Sequence, residues 1–213
     1  MQEKKRNPGK QDAEAAEQTR RQIIGAAAQK FAAKGFKAAS LREIASSAGT
    51  AHGLIRHHFG TKEDLWKAVV DDYIVQMAAR HLPLLQQAAT ADPLDLLKGF
   101  VSNFIRQTAE SPVIAKLLVK DCSEPGPHLE HLVARIMPVH HSITPIFEQV
   151  KQAGYFPEHD AESFFIFLVA LGSLPFTLNG FTNEFYHEDI NSEAGVEAHI
   201  KRVLATLFGN RNG

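Results

Sequence analysis

Residues 40–60 read SLREIASSAGTAHGLIRHHFG, two short helical patterns separated by little more than a glycine. Ser40 stands three residues before Glu43, the spacing of a capping box in which each side chain satisfies a backbone N–H at the helix start. The helix so opened runs from Leu41 to about Ala48, and Gly49 permits the turn. A second segment runs from about Ala51 to His58, capped by Thr50 and closed by Gly60. Helices this short need tertiary support. At about 100° per residue, Ile55 and Phe59 share one face of the second segment while Gly53 and His57 lie opposite. The economical arrangement buries Ile55 and Phe59 against Leu41, Ile44 and Phe31, and leaves Gly53, Arg56 and His57 outward.

Upstream, Ile23, Ala27 and Phe31 recur every four residues from Thr19, with Ile24 and Ala28 widening the stripe, until Gly35 offers a left-handed cap. Residues 1–18 are polar and expected to form a disordered basic arm. Downstream, Thr61 and Asp64 form another capping pair, and Leu65, Trp66, Val69, Val70, Tyr73, Ile74 and Met77 trace a long helix ending near Leu82-Pro83. Asp92-Pro93 and Ser111-Pro112 each place a cap residue before a proline at the first helical position. The Pro-Gly-Pro at 125–127 is a break. The next helix reaches Gly154, bent at Pro138 and Pro145; two more run from about Ala161 to Asn179 and from Ser192 to Phe208. No alternating strand pattern is evident, so the expected fold class is all-α, about nine helices.

The formal charge of −1 hides an asymmetry: residues 1–62 carry a net +7 and residues 63–213 a net −8. A basic segment joined to an acidic body suggests a polyanionic partner for the first part alone. The longest apolar run, Phe164 to Phe176, contains Gly172, Ser173 and Pro175 and is shorter than the ~18–20 residues that span a bilayer, which argues against a membrane partner. The opening MQEKKRNPGKQD offers no apolar core of a secretory signal, and the single Cys122 has no internal disulfide partner. Both favour a cytoplasmic location.

A short helix presented by a tight turn is the helix-turn-helix arrangement, whose second helix enters the major groove. The stretch resembles the TetR family of bacterial transcriptional regulators, whose usual pattern runs from a Ser or Thr through I-A-x-x-A-G-V-S-x-G to Y-x-H-F-x-x-K-E-x-L. Here Ser40 is followed by Ile44-Ala45-Ser46-Ser47-Ala48-Gly49-Thr50-Ala51-His52-Gly53, then by Arg56-His57-His58-Phe59-Gly60-Thr61-Lys62-Glu63-Asp64-Leu65. The match covers about residues 19–66. Thr50 replaces the usual Val, Ala51 the usual Ser, and Arg56 the usual Tyr, a guanidinium standing where a phenol binds phosphate.

The resemblance implies a helix-turn-helix DNA-binding domain over 19–66 and a helical ligand-binding and dimerisation domain over 67–213. It implies that Ser40, Arg42, Thr50, Ala51, His52, Gly53, Leu54, Arg56, His57, His58 and Lys62 line the DNA. By chemistry, Arg42 suits a bidentate contact to guanine, and His52 and His57 single hydrogen bonds to base edges or phosphate. Ser40, Arg56, His58 and Lys62 suit phosphates, Lys62 aided by a helix N-terminus. Lys4, Lys5, Arg6 and Lys10 add sequence-independent attraction.

The family further implies a repressor acting as a homodimer on a near-palindromic operator and released by a small-molecule effector. Phe164, Phe165, Leu168 and Leu171 with Val196, Ile200, Val203 and Leu207 are the expected dimer residues. Phe100, Phe104, His140, His141, Phe147 and Phe176 are the expected lining of a largely apolar ligand site. No cofactor and no catalytic residue is implied, and no HExxH, GxSxG or GxxxxGK[ST] motif occurs. An alternative, a metal-binding or enzymatic protein, rests on 11 histidines, the His128-x-x-His131 pair, Cys122 and Glu124.

Overall fold

The computed structural model describes residues 8–209, which form ten helices and, among the described residues, no strand. They are α1 (Pro8–Ala38), α2 (Leu41–Ser47), α3 (His52–Phe59), α4 (Lys62–Gln86), α5 (Pro93–Glu110), α6 (Val113–Asp121), α7 (Pro127–Gln152), α8 (Ala161–Thr177), α9 (Asn179–Tyr186) and α10 (Glu193–Phe208). No single helix among the described residues is long and apolar enough to cross a membrane. Two compact units divide within α4, between Asp72 and Tyr73, six residues beyond the boundary expected from the sequence.

Several expectations move. Residues 8–18 continue α1 as helix, so its start lies well before Thr19; the first seven residues, with Lys4, Lys5 and Arg6, lie outside the described ones. Gly35, at φ 76 and ψ 167, breaks the helical geometry where the cap was expected, and a further short helical stretch follows to Ala38. The third helix has Ala51, not Thr50, at its N-cap, with no side-chain bond to the helix start. α4 passes through Pro83 to Gln86, and α6 begins one residue after Pro112 without a side-chain cap. Beyond Thr177 a tenth helix, α9, occupies a stretch not expected to be separate.

In the first unit α1 packs on α2 and α2 on α3. Ile23, Ala27 and Phe31 of α1, Ile44 of α2, Ile55 of α3 and Leu65 and Trp66 of α4 are fully or nearly fully buried. Each fully buried Ile, Leu or Phe side chain among them contributes about 1.5–3 kcal/mol. That core supports helices of only seven and eight residues. The capping box is formed: Glu43 N donates to Ser40 Oγ and Ser40 N to Glu43 Oε2, both at 3.2 Å. Thr61 and Asp64 reciprocate in the same way, Asp64 N to Thr61 Oγ1 at 3.1 Å and Thr61 N to Asp64 Oδ2 at 3.3 Å. Gly49, at φ +63, makes the turn between α2 and α3, a conformation that a Cβ disfavours.

The second unit is built around α5, which packs on α7, α8 and α10. Its core joins Phe100, Val101 and Ile105 to Phe147, Phe164, Leu168, Phe176, Ile200 and Val203. Asp92 caps α5 as expected, its Oδ1 accepting from Leu94 N at 2.8 Å and Asp95 N at 3.2 Å ahead of Pro93.

Candidate nucleic-acid interface and ligand cavity

With Ile55 only 1% exposed, the helical period turns its neighbours outward: His52, Gly53, Leu54, Arg56 and His57 of α3 are all exposed, together with Arg42 on α2 and Ser40 and Ala51 at the two helix starts. Thr50 is half-buried. Phe59, expected to share the burial of Ile55, is also only half-buried; the Arg20 guanidinium lies 5.5 Å from its ring centroid. His58 is half-buried too, its ring 5.4 Å from that of His57 and 6.1 Å from Phe59.

Electrostatics on this face favour a polyanion. Glu43, the acid nearest Arg42 in sequence, receives Lys34 Nζ at 2.6 Å as well as the Ser40 backbone N–H. The Lys34 bond, then the backbone bond, hold its carboxyl below the usual range. Ser40 Oγ accepts the capping bond, which leaves its hydroxyl proton available to a phosphate. Lys62 is more engaged than its sequence position suggested: its ammonium donates to the Lys37 carbonyl at 3.3 Å and lies 4.6 Å from the Phe36 ring centroid. The start of α4 is already supplied with carboxylate by Glu63 and Asp64.

The second unit contains a cavity of about 50 Å³ between α4, α5, α6, α7 and α8. Tyr73, Ile74 and Met77 form one wall, Phe104 and Thr108 a second, and Ile114, Ala115 and Leu118 a third; Ile136, Phe165, Val169 and Ser173 complete it. Of the residues expected at a ligand site, only Phe104 lines it. Phe147 and Phe176 are buried in the central core, Phe100 lies tilted against His81 at 4.3 Å between centroids, and His141 is exposed. His140 is buried with its ring 5.2 Å from that of the lining residue Phe165. Sequence periodicity marked Tyr73 and Met77 as an apolar stripe. It carried no signal that a void would open beside them.

The expected dimer residues also redistribute. Phe164, Leu168, Ile200 and Val203 are at most 3% exposed within a single chain, and Leu171, Val196 and Leu207 are half-buried against that same core. Phe165 belongs to the cavity. α8 is apolar all round, so its stripe could be assigned to either face. The face left in solvent bears Ile166, Phe167 and Leu174, and it is joined by Leu178 and by Phe181 and Phe185 of α9, 66% and 69% exposed with rings 4.7 Å apart.

No group of three or more His, Cys, Asp or Glu side chains among the described residues is placed to hold a metal ion. Cys122 is buried, and burial and then the neighbouring Asp121 push its thiol up to about 11.

Residues 23–69 match the family model described as bacterial regulatory proteins, tetR family. The chain is 36% identical over 86 residues to the HTH-type transcriptional repressor KstR2 of Mycolicibacterium smegmatis, a match covering 40% of this chain and 41% of that protein. Among solved structures, AibR in complex with isovaleryl coenzyme A and operator DNA superposes with a TM-score of 0.71 at 18% identity, covering 89% of this chain and 98% of AibR. KstR2 of Mycobacterium tuberculosis superposes with a TM-score of 0.67 at 20% identity, covering 89% and 93%. At such identities these two likenesses are of fold. The relatives matched by sequence carry the names of transcriptional regulators, not of enzymes. The caps, the turn and the buried Ile55 arrive in the order that the family model matches, so residues 23–69 are similar to the bacterial regulatory proteins of the tetR family, and the chain spans less than half the length of the curated relatives it matches.

Proposed function

We propose that the chain is a sequence-specific DNA-binding transcriptional regulator, acting as a cytoplasmic repressor. The observation that carries this reading is the exposed set His52, Gly53, Leu54, Arg56 and His57 of α3, held outward by buried Ile55, with exposed Arg42 on α2. In this reading α3 enters the major groove; Arg42 and the early residues of α3 read base edges, while Ser40, Thr50, Ala51, Arg56, His58 and Lys62 meet the phosphate backbone.

The active species is a homodimer, and its partner surface is the exposed apolar face of Ile166, Phe167, Leu174, Leu178, Phe181 and Phe185. Large apolar side chains in water at adjacent positions are what a second copy would cover. Two-fold symmetry then requires a near-palindromic operator with half-sites about one helical turn, or a multiple, apart. The cavity beside Tyr73 and Phe104 takes the effector. Tyr73, Ile74 and Met77 belong to the same continuous helix as Lys62, so an occupant pressing on that wall acts on a helix that also serves the first unit.

Selection of bound duplexes from a random pool tests this directly. Enrichment of a two-fold symmetric sequence is expected. Recovery of no preferred sequence at physiological salt would overturn the reading.

A further inference from the structure

Two neighbouring residues of α3, Gly53 and Leu54, are not explained by the fold of their own unit. Gly53 lies inside the helix without a positive φ, and a Cβ built on it meets no atom within 4 Å. Neither a turn nor a close neighbour within the first unit asks for glycine there. Yet glycine is among the poorest helix formers, and α3 has only eight residues. Leu54 departs in the opposite sense. Every other large apolar side chain of the first unit, among the described residues, is buried or half-buried, whereas Leu54 is 40% exposed.

Their places on the helix are complementary. At about 100° per residue, Gly53 and His57 lie about 160° from buried Ile55, one on each side, and form the crown of the outward face. Leu54 and Arg56 stand on its two flanks, each about 100° from Ile55. Leu54 therefore sits alone in a basic setting, with no second exposed apolar side chain of its size in the unit to make a patch for a protein partner. Residues 1–62 carry a net +7, which suits a polyanion. The floor of the DNA major groove carries one apolar group that such a side chain can meet, the 5-methyl of thymine.

Resting on the reading of α3 as the helix that enters the major groove, we infer that Leu54 reads a thymine in each half-site through its 5-methyl group, and that Gly53, bare at the crown, brings the helix close enough for that contact. A Cβ at position 53 would meet the base edges first and hold Leu54 away from them. Arg42, His52 and His57 address hydrogen-bonding groups; Leu54 adds a preference for thymine that uses no hydrogen bond.

The test uses the full chain and the duplex recovered by selection from a random pool, with each thymine replaced in turn by deoxyuridine. That change keeps every hydrogen-bonding group of the base and removes only the methyl. At one position per half-site the chain is expected to lose about fourfold in affinity at physiological salt. Leu54→Asn, of similar bulk but with a polar end, should bind thymine and uracil at that position to within about 1.5-fold of each other. Gly53→Ala should leave the thermal midpoint unchanged or higher, alanine being the better helix former, yet weaken binding to the selected duplex roughly tenfold. A glycine needed only for folding would instead lower stability and affinity together. Uracil tolerated at every thymine, a thymine preference that survives in Leu54→Asn, or undiminished affinity in Gly53→Ala overturns the inference. Selection of a duplex indifferent to the methyl removes this inference alone, whereas failure to select any duplex removes the regulator reading and the inference with it.

Discussion

The two units hold their helices by different means, and each is exposed to a different kind of damage. In the first, α2 and α3 have seven and eight residues and depend on side-chain caps and on a small set of fully buried anchors: Phe31, Ile44, Ile55, Leu65 and Trp66. In the second, helices of up to 26 residues share a wide aromatic core in which Phe147, Phe156, Phe164 and Phe208 are linked ring to ring. One unit spends its sequence on presenting an outer face. The other surrounds an interior with enough bulk to leave a gap.

The largest effect that would sharpen this contrast is a cavity in the smaller core. Trp66→Ala is expected to cost about 3–5 kcal/mol and to unfold the first unit before the second, read as a separated first transition in denaturant. A single transition for the variant would mean that the units share one cooperative fate. Next comes pH. His81 titrates near 4 in the folded chain, below its ordinary value near 6.5, so the unfolded chain binds the proton first and stability falls as pH drops through that window. His199 is shifted in the same direction, by burial first, and adds to the loss. Both lie in the second unit, and His81→Leu should flatten the pH dependence of its unfolding without altering that of the first.

On the outer face, Arg42→Ala is expected to cost about 1–3 kcal/mol on the selected duplex and to relax base choice at one position per half-site. Equal losses on selected and random duplex would remove Arg42 from base reading. Lys62→Ala should weaken all duplexes alike and flatten the salt slope by about one; its bond to the Lys37 carbonyl sets a smaller effect on affinity than a solvent-facing lysine would give. The smallest expected change is Ser40→Ala, about 1 kcal/mol of stability through loss of the cap, visible as a lower midpoint for the first transition only.

Much of the first unit was legible because its signals are local. Ser40-x-x-Glu43 and Thr61-x-x-Asp64 fix where helices start, and once Ile55 is assigned to the core, the 3.6-residue period places His52, Arg56 and His57. Phe59 departs from that pattern because a helix of eight residues ends before its last ring can be covered. The second unit yielded less. Where a helix is apolar on every side, as α8 is, periodicity has no preferred direction, and Phe164 and Phe167 look alike until α5 and α10 claim one of them. The cavity is a shortfall in packing between five helices, a property of volumes that meet only after folding. α9 escaped notice because the turn after Thr177 uses neither glycine nor proline; it is tied down by Thr182 Oγ1 donating to the Pro175 carbonyl.

The ring pair of Phe181 and Phe185 stands on the exposed apolar face. On the proposed reading that a second copy covers this face, an unpaired subunit leaves two benzyl groups in water and a paired one does not, so the paired state gains stability with protein concentration.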